Sequence, residues 1–186
     1  MAAGTSKAMA RLTIEIVGAD QNPVENVVVT FTPSDTQVSL GQSEIIEIGQ
    51  KNRQFMPQVS VVTTGSRISF PNFDNLRHHV YSFSKAKVFE LRLLGNERPD
   101  LVLLDKSGTI IVGCNIHDQM VGFIRVVDTP YHGVTGTEGL YAASLPPGKY
   151  QVEIWHPNLD IEYAQQVADI TLGAEGATYR HALPIR

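Results

Sequence analysis

The sequence predicts an all-β protein. Short runs rich in β-branched residues recur along the 186-residue chain, and turns containing Gly, Pro, Asn or Asp separate them. This spacing is typical of β-sandwiches. No stretch reads as a convincing helix, and no apolar run approaches the roughly 18 residues of a membrane-spanning helix. We therefore expect strands throughout and no membrane span.

The first strands precede a polar boundary. RLTIEIVG and NVVVTFTP predict a hairpin, because the stretch Asp20–Pro23 between them consists of turn-forming residues. Residues 33–42 are polar and carry no strand pattern, so we place a boundary between domains there. Four β-branched segments follow this boundary: SEIIEIGQ, VSVVTTG, SRISFPN and HHVYSFS.

The second half continues in the same way. The next predicted strands are VFELRLL, LVLLDKS, GTIIVGC and VGFIRVVD. A second boundary falls near 128–133, where the sequence reads DTPYHG. Beyond it, a Pro-Pro-Gly turn joins GLYAASL to KYQVEIWHP, and a last strand lies in QQVADITL or TYRHALPI.

Composition narrows the classes of function. The formal net charge is −4, so nothing indicates binding to nucleic acid or to an anionic membrane. A single cysteine excludes an internal disulfide. The N-terminal MAAGTSKAMA lacks the apolar core of a secretory signal, so we expect either a cytosolic protein or a chain whose leader has been removed.

One turn concentrates the metal-binding side chains. In GCNIHDQM the only cysteine, Cys114, is followed at intervals of three residues by His117 and Met120. A thiolate, two imidazoles and a weak axial thioether are the ligands of blue-copper sites. The second imidazole must come from elsewhere, and the sequence offers the adjacent His78 and His79 in NLRHHVYSF. We therefore expect one copper ion that cycles between Cu(I) and Cu(II).

The segment around these residues resembles the cupredoxins. FMPQVSVVTTGSRISFPNFDNLRHHVYSF is similar to their first half, and DKSGTIIVGCNIHDQMVGFIRVV is similar to their second half with the short ligand loop of the amicyanin type. The resemblance implies a Greek-key β-sandwich over residues 43–127. The chain also resembles bacterial proteins labelled plastocyanin-like or methylamine-utilisation proteins.

The two ends of the chain resemble another fold. ADQNPVENVVV and GTEGLYAASLPPGKY are similar to the two ends of a carboxypeptidase-regulatory-like, transthyretin-type sandwich. The resemblance implies that residues 11–42 and 128–186 form one small sandwich into which the cupredoxin domain 43–127 is inserted. Residues 1–10 are expected to be a disordered tail.

The choice between the two adjacent histidines stays open. Cupredoxins commonly carry His-Asn-Val at this point, and that pattern makes His78 the ligand and puts His79 in the place of the asparagine. The alternation of side chains along the strand favours His79 instead, because His79, Tyr81 and Phe83 share the more apolar face. We predict the ligand set His78, Cys114, His117 and Met120.

These features predict a function without catalysis. The resemblance implies a mononuclear blue-copper protein that transfers single electrons, the alternative being copper trafficking or storage. Copper enzymes of this class need further histidine clusters, and the chain has no His-x-His.

A c-type cytochrome, a copper-dependent enzyme or a quinone enzyme would be the redox partner, docking on apolar residues such as Ile116 and Pro71. The resemblance implies export to the periplasm. Asp74 and Asp118 have two open interpretations: they steady the ligand loops, or, as we favour, they are solvated turn residues.

Overall fold

A computed structural model describes residues 8–96 and 98–185 of the chain. Over these residues the protein is all-β, with seventeen strands and no helix, which confirms the predicted fold class. No described segment is a helix long and apolar enough to cross a membrane. The chain divides into two compact units, which we describe separately.

Unit 1 comprises residues 8–38, 131–160 and 164–185. Its strands are β1 (Ala10–Val17), β2 (Val28–Pro33), β13 (His132–Val134), β14 (Leu140–Leu145), β15 (Gly148–Trp155), β16 (Gln165–Leu172) and β17 (Ala177–Ala182). They form two sheets, with the orders β14-β1-β17 and β13-β2-β15-β16. The N-terminal strands are thus interior strands, each paired on both sides with strands from the C-terminal third.

A continuous apolar core lies inside unit 1. Alternate residues of β1, from Ala10 through Leu12 and Ile14 to Ile16, are almost fully buried, as expected for a strand with one face toward a core. Phe31 and Ile154 contribute to the same cluster from the other sheet.

Unit 2 comprises residues 39–130 together with Ile161–Tyr163. Its strands are β3 (Ile45–Glu47), β4 (Gly49–Lys51), β5 (Gln54–Met56), β6 (Val59–Thr63), β7 (Arg67–Ser69), β8 (His78–Ser84), β9 (Lys87–Leu93), β10 (Val102–Leu103), β11 (Gly108–Cys114) and β12 (Val121–Val127). The main sheet has the order β6-β12-β11-β8-β9, a second sheet the order β10-β7-β3, and β4 and β5 form a hairpin.

The core of unit 2 extends to two of the predicted ligand residues. Phe70, Ile110 and Ile124 are fully buried in it. Cys114 and Met120 belong to the same cluster, with exposed fractions of 4% and 1%. The side chains of Cys114 and Met120 are therefore shielded from water by apolar packing.

The structure differs from the sequence-based expectation in several places. The predicted strand over residues 43–50 is divided between β3 and β4, because the first piece pairs with β7 and the second with β5. Strands β5 and β13 were not predicted. Both QQVADITL and TYRHALPI form strands, β16 and β17. β1 begins at Ala10, within the expected tail, and residues 1–7 of that tail lie outside the described residues.

Deleting residues 1–40 should unfold unit 1. The deletion removes β1 from between β14 and β17, and β2 from between β13 and β15. The remaining strands would expose unpaired edges and apolar side chains such as Trp155, so we expect aggregation. Size-exclusion chromatography and circular dichroism during heating would measure it. As a control, the isolated fragment 43–127, which contains β3 to β12, should unfold cooperatively. A monomeric, cooperatively folded deletion protein would contradict the prediction.

Candidate metal centre

The pairing of β8 with β11 brings a histidine beside the thiol. Val80 lies directly opposite Cys114 in this antiparallel pair, and opposite residues point to the same face of a sheet. His78, two residues before Val80, shares that face because side chains alternate along a strand. The Cys114 Sγ atom consequently lies 3.6 Å from the Nδ1 atom of His78.

The neighbouring His79 points to the opposite face. Its Nε2 atom lies 2.8 Å from Glu90 Oε1, and its Nδ1 atom lies 3.4 Å from the side-chain amide nitrogen of Asn115. The backbone amide of Asn115 also donates to the carbonyl of His79 at 3.0 Å. His79 therefore links β8 to the residue after Cys114 while its ring lies away from the thiol.

Two consecutive turns shape the ligand loop. The amide of His117 donates to the carbonyl of Cys114 at 3.3 Å, and the amide of Met120 donates to the carbonyl of His117 at 2.9 Å. Each bond closes a four-residue turn whose first and last residues lie close together. The amide of Cys114 donates to the carbonyl of Met120 at 3.2 Å and closes the loop at its base. The three-residue intervals in the sequence thus correspond to turn ends.

The donor atoms of three residues converge. Cys114 Sγ lies 3.5 Å from His117 Nδ1, and one ligand atom each from His78, Cys114 and His117 lie within 4.8 Å of one another. Metal–nitrogen bonds of about 2.0 Å and metal–sulfur bonds of about 2.3 Å in a trigonal plane require sulfur–nitrogen separations of about 3.7 Å. The cluster therefore has the dimensions of a three-ligand metal site. Met120, on the same loop as Cys114 and His117, is buried.

A carboxylate holds the far side of the His78 ring. Asp74 Oδ2 lies 2.8 Å from His78 Nε2, and the side chain of His78 is fully buried. The same carboxylate accepts the backbone amides of Asn52 at 2.7 Å and Arg53 at 3.0 Å. Burial alone would raise the pKa of Asp74, but its hydrogen bonds from Arg53, His78 and Asn52 hold the pKa below its usual value. Asp74 is therefore an anion at neutral pH.

His117 is the more accessible imidazole of the cluster. It is half-buried, whereas His78 is buried. Burial lowers the pKa of His117, the neighbouring His78 and Arg53 side chains lower it further, and the Asp74 carboxylate opposes them. The neutral imidazole, which is the form that can bind a metal, is therefore favoured.

The residues that support the cluster were partly missed by sequence reasoning. The expectation of a solvated Asp74 is wrong, because this carboxylate bonds His78 and two backbone amides. The spacing between Asp74 and His78 does not predict this contact, because the segment before β8 is irregular. Asp118 is exposed, as expected, whereas Pro71 is buried. The remaining histidines, His132, His156 and His181, belong to unit 1.

The hairpin of β4 and β5 supplies the amides that hold Asp74. Its two-residue loop, Asn52–Arg53, has φ values of 54° and 59°, the left-handed conformation that tight hairpin loops require. The hairpin is anchored at Gln50, whose amide donates to Pro71 and whose carbonyl accepts from Phe73, each at 2.9 Å. Strand alternation alone could not predict this hairpin, because its strands have only three residues each.

Comparisons with known proteins found similar folds and no similar sequences. No protein-family model matches the chain, and no curated protein matches it. A copper-containing nitrite reductase from Thermus scotoductus is similar at 22% identity and a TM-score of 0.44, over 53% of this chain and 26% of the reductase. This chain therefore spans about a quarter of the reductase's length.

Two further solved structures are cupredoxins matched over nearly their whole length. The reduced state of an amicyanin mutant has 17% identity and a TM-score of 0.40, over 53% of this chain and 99% of amicyanin. A purple cupredoxin from Nitrosopumilus maritimus has 22% identity and a TM-score of 0.38, over 46% of this chain and all of that protein.

Proposed function

We propose that the chain is a single-copper electron carrier in which His78, Cys114 and His117 are the equatorial ligands and Met120 is the axial ligand. The observation that carries the proposal is the convergence of one thiol and two Nδ1 atoms, at sulfur–nitrogen distances of 3.5 and 3.6 Å. A buried thioether on the same loop completes the ligand types of a blue-copper centre. Zinc gains little from a thioether, so Met120 favours copper.

Bound copper would supply a one-electron couple between Cu(I) and Cu(II). The chain supplies a frame that limits rearrangement during electron transfer. Cys114 is the last residue of β11, and Met120 immediately precedes β12, so the loop between them is held at both ends by the main sheet. The turn hydrogen bonds at Cys114, His117 and Met120 restrict the loop further.

The metal end of unit 2 offers a surface for a redox partner. His117 is half-buried. The preceding residue, Ile116, is apolar and 53% exposed. Two further exposed apolar residues, Phe73 at 51% and Leu76 at 44%, lie in the loop before β8. Such a surface suits a small, transient interface with a c-type cytochrome or with a copper-dependent or quinone enzyme. Pro71 is buried and takes no part in it. The resemblance to cupredoxins favours the periplasm as the location.

We favour transfer of electrons over catalysis. Copper enzymes of this class need additional histidine clusters. Among residues 8–96 and 98–185, one group of three potential ligands lies close enough to share an ion, and it is the group at Cys114. Copper trafficking or storage is the alternative, and fast reversible redox cycling would distinguish an electron carrier from a protein that sequesters Cu(I).

The copper-loaded protein should be intensely blue. Charge transfer from the Cys114 thiolate to Cu(II) produces this colour in blue-copper sites. A Cys114→Ser protein should lose it entirely, because a hydroxyl does not replace the soft thiolate. The measurement is a visible absorption spectrum after addition of Cu(II) to the apoprotein. A colourless wild type that has bound copper would refute the blue-copper assignment.

The two adjacent histidines should behave differently. His78→Ala removes the imidazole beside the thiol, so we expect loss or gross change of the blue spectrum and a loss of Cu(II) affinity of more than about 100-fold. His79→Ala removes a ring that faces Asn115 and Glu90, so the colour should persist and the affinity should change by less than about tenfold. Copper titrations of both variants would measure this, and the reverse result would identify His79 as the ligand.

A further inference from the structure

The His78 ring is held by an anion on the side opposite to the thiol. Its Nδ1 atom faces Cys114 Sγ at 3.6 Å, and its Nε2 atom lies 2.8 Å from Asp74 Oδ2. The side chain of His78 is fully buried and that of Asp74 is 12% exposed. Carboxylate–imidazole contacts in buried surroundings are strong and directional, so this contact controls how the ring is presented to the cluster.

The carboxylate is fixed independently of the histidine. Its two oxygens accept the amides of Asn52 and Arg53 at 2.7 and 3.0 Å. The amide of Asp74 itself donates to Asn72 Oδ1 at 2.9 Å. The side-chain nitrogen of Asn72 donates to the carbonyls of Leu76 at 2.7 Å and Leu94 at 3.0 Å. Asp74 is thus anchored to the β4–β5 hairpin and to the loop before β8.

The anchored carboxylate determines which ring nitrogen of His78 carries the proton. An ionised carboxylate can only accept hydrogen bonds, so the Nε2 atom of a neutral His78 must carry the proton. The Nδ1 lone pair then faces Cys114 and is available to a metal ion. A negative charge at Nε2, the ring nitrogen away from Cys114, also stabilises bound Cu(II) more than Cu(I), because Cu(II) carries the higher positive charge.

We propose that Asp74 is a positioning residue of the copper centre, which fixes His78 with its proton on Nε2 and lowers the reduction potential of the bound copper. This inference rests on the proposed function and extends it to a residue outside the ligand set.

The chain contains a matched control pair. Glu90 Oε1 lies 2.8 Å from His79 Nε2, the same separation as between Asp74 and His78. The His79 ring faces Asn115 and lies on the opposite face from Cys114. Neutralising Glu90 therefore removes a carboxylate–imidazole contact of equal length that does not orient the ring beside the thiol.

The test compares wild type, Asp74→Asn and Glu90→Gln with two measurements. Nitrogen-15 NMR of the apoprotein reports which His78 nitrogen carries the proton. Titrations with Cu(II) and Cu(I), together with voltammetry, report the relative affinity for the two oxidation states.

We expect wild type and Glu90→Gln to carry the His78 proton on Nε2 and to have the same reduction potential. In Asp74→Asn the amide can donate to Nε2, so we expect the proton to move toward Nδ1. Cu(II) affinity should fall about tenfold relative to Cu(I), and the potential should rise.

Each result decides the proposal. An Asp74→Asn protein that keeps either the wild-type proton position or the wild-type potential overturns it, as does an equal rise in potential in Glu90→Gln. If Asp74→Asn does not fold, the wild-type apoprotein still provides a test, because a proton on Nδ1 of His78 overturns the proposal without any variant. A wild type that binds no copper refutes the proposed function, whereas a blue wild type with an unchanged Asp74→Asn potential refutes only the role of Asp74.

Discussion

The arrangement of the candidate copper centre depends on the register between β8 and β11. Because Val80 lies opposite Cys114, His78 falls on the same face as the thiol and His79 falls on the other. A slip of one residue would reverse this choice, since side chains alternate between faces. The register is enforced by the core, in which Val80, Val112 and Cys114 are buried together.

The three donors of the candidate centre are held in different ways, and the difference is compatible with the proposed electron transfer. Cys114 and His78 are buried within the main sheet, while His117 projects from a loop of two turns and stays half-buried. Two of the proposed ligands are therefore placed by strand pairing, which resists distortion, and the third is more accessible to a partner. The hairpin of β4 and β5 contributes no ligand, but its loop amides hold the carboxylate that contacts His78.

The core of unit 1 depends on pairing between strands that are far apart in the chain. Strands β1 and β2 are far in sequence from their partners, and β1 pairs with β17 across about 165 residues of chain. Neither the N-terminal pair nor the C-terminal strands can close a core alone, because β1 and β2 lie between C-terminal strands in both sheets. The apolar cluster around Leu12, Phe31 and Ile154 exists only when both ends of the chain are present.

The sequence by itself determined the all-β class and the grouping of Cys114, His117 and Met120, because strand patterns and turn spacing are local properties. It left His78 and His79 unresolved, since the face that a strand buries depends on the sheet it joins. Phe83 made the wrong face look apolar, yet its side chain is 80% exposed. The role of Asp74 was decided by tertiary structure alone, because its amide donors come from a hairpin more than twenty residues away in the chain.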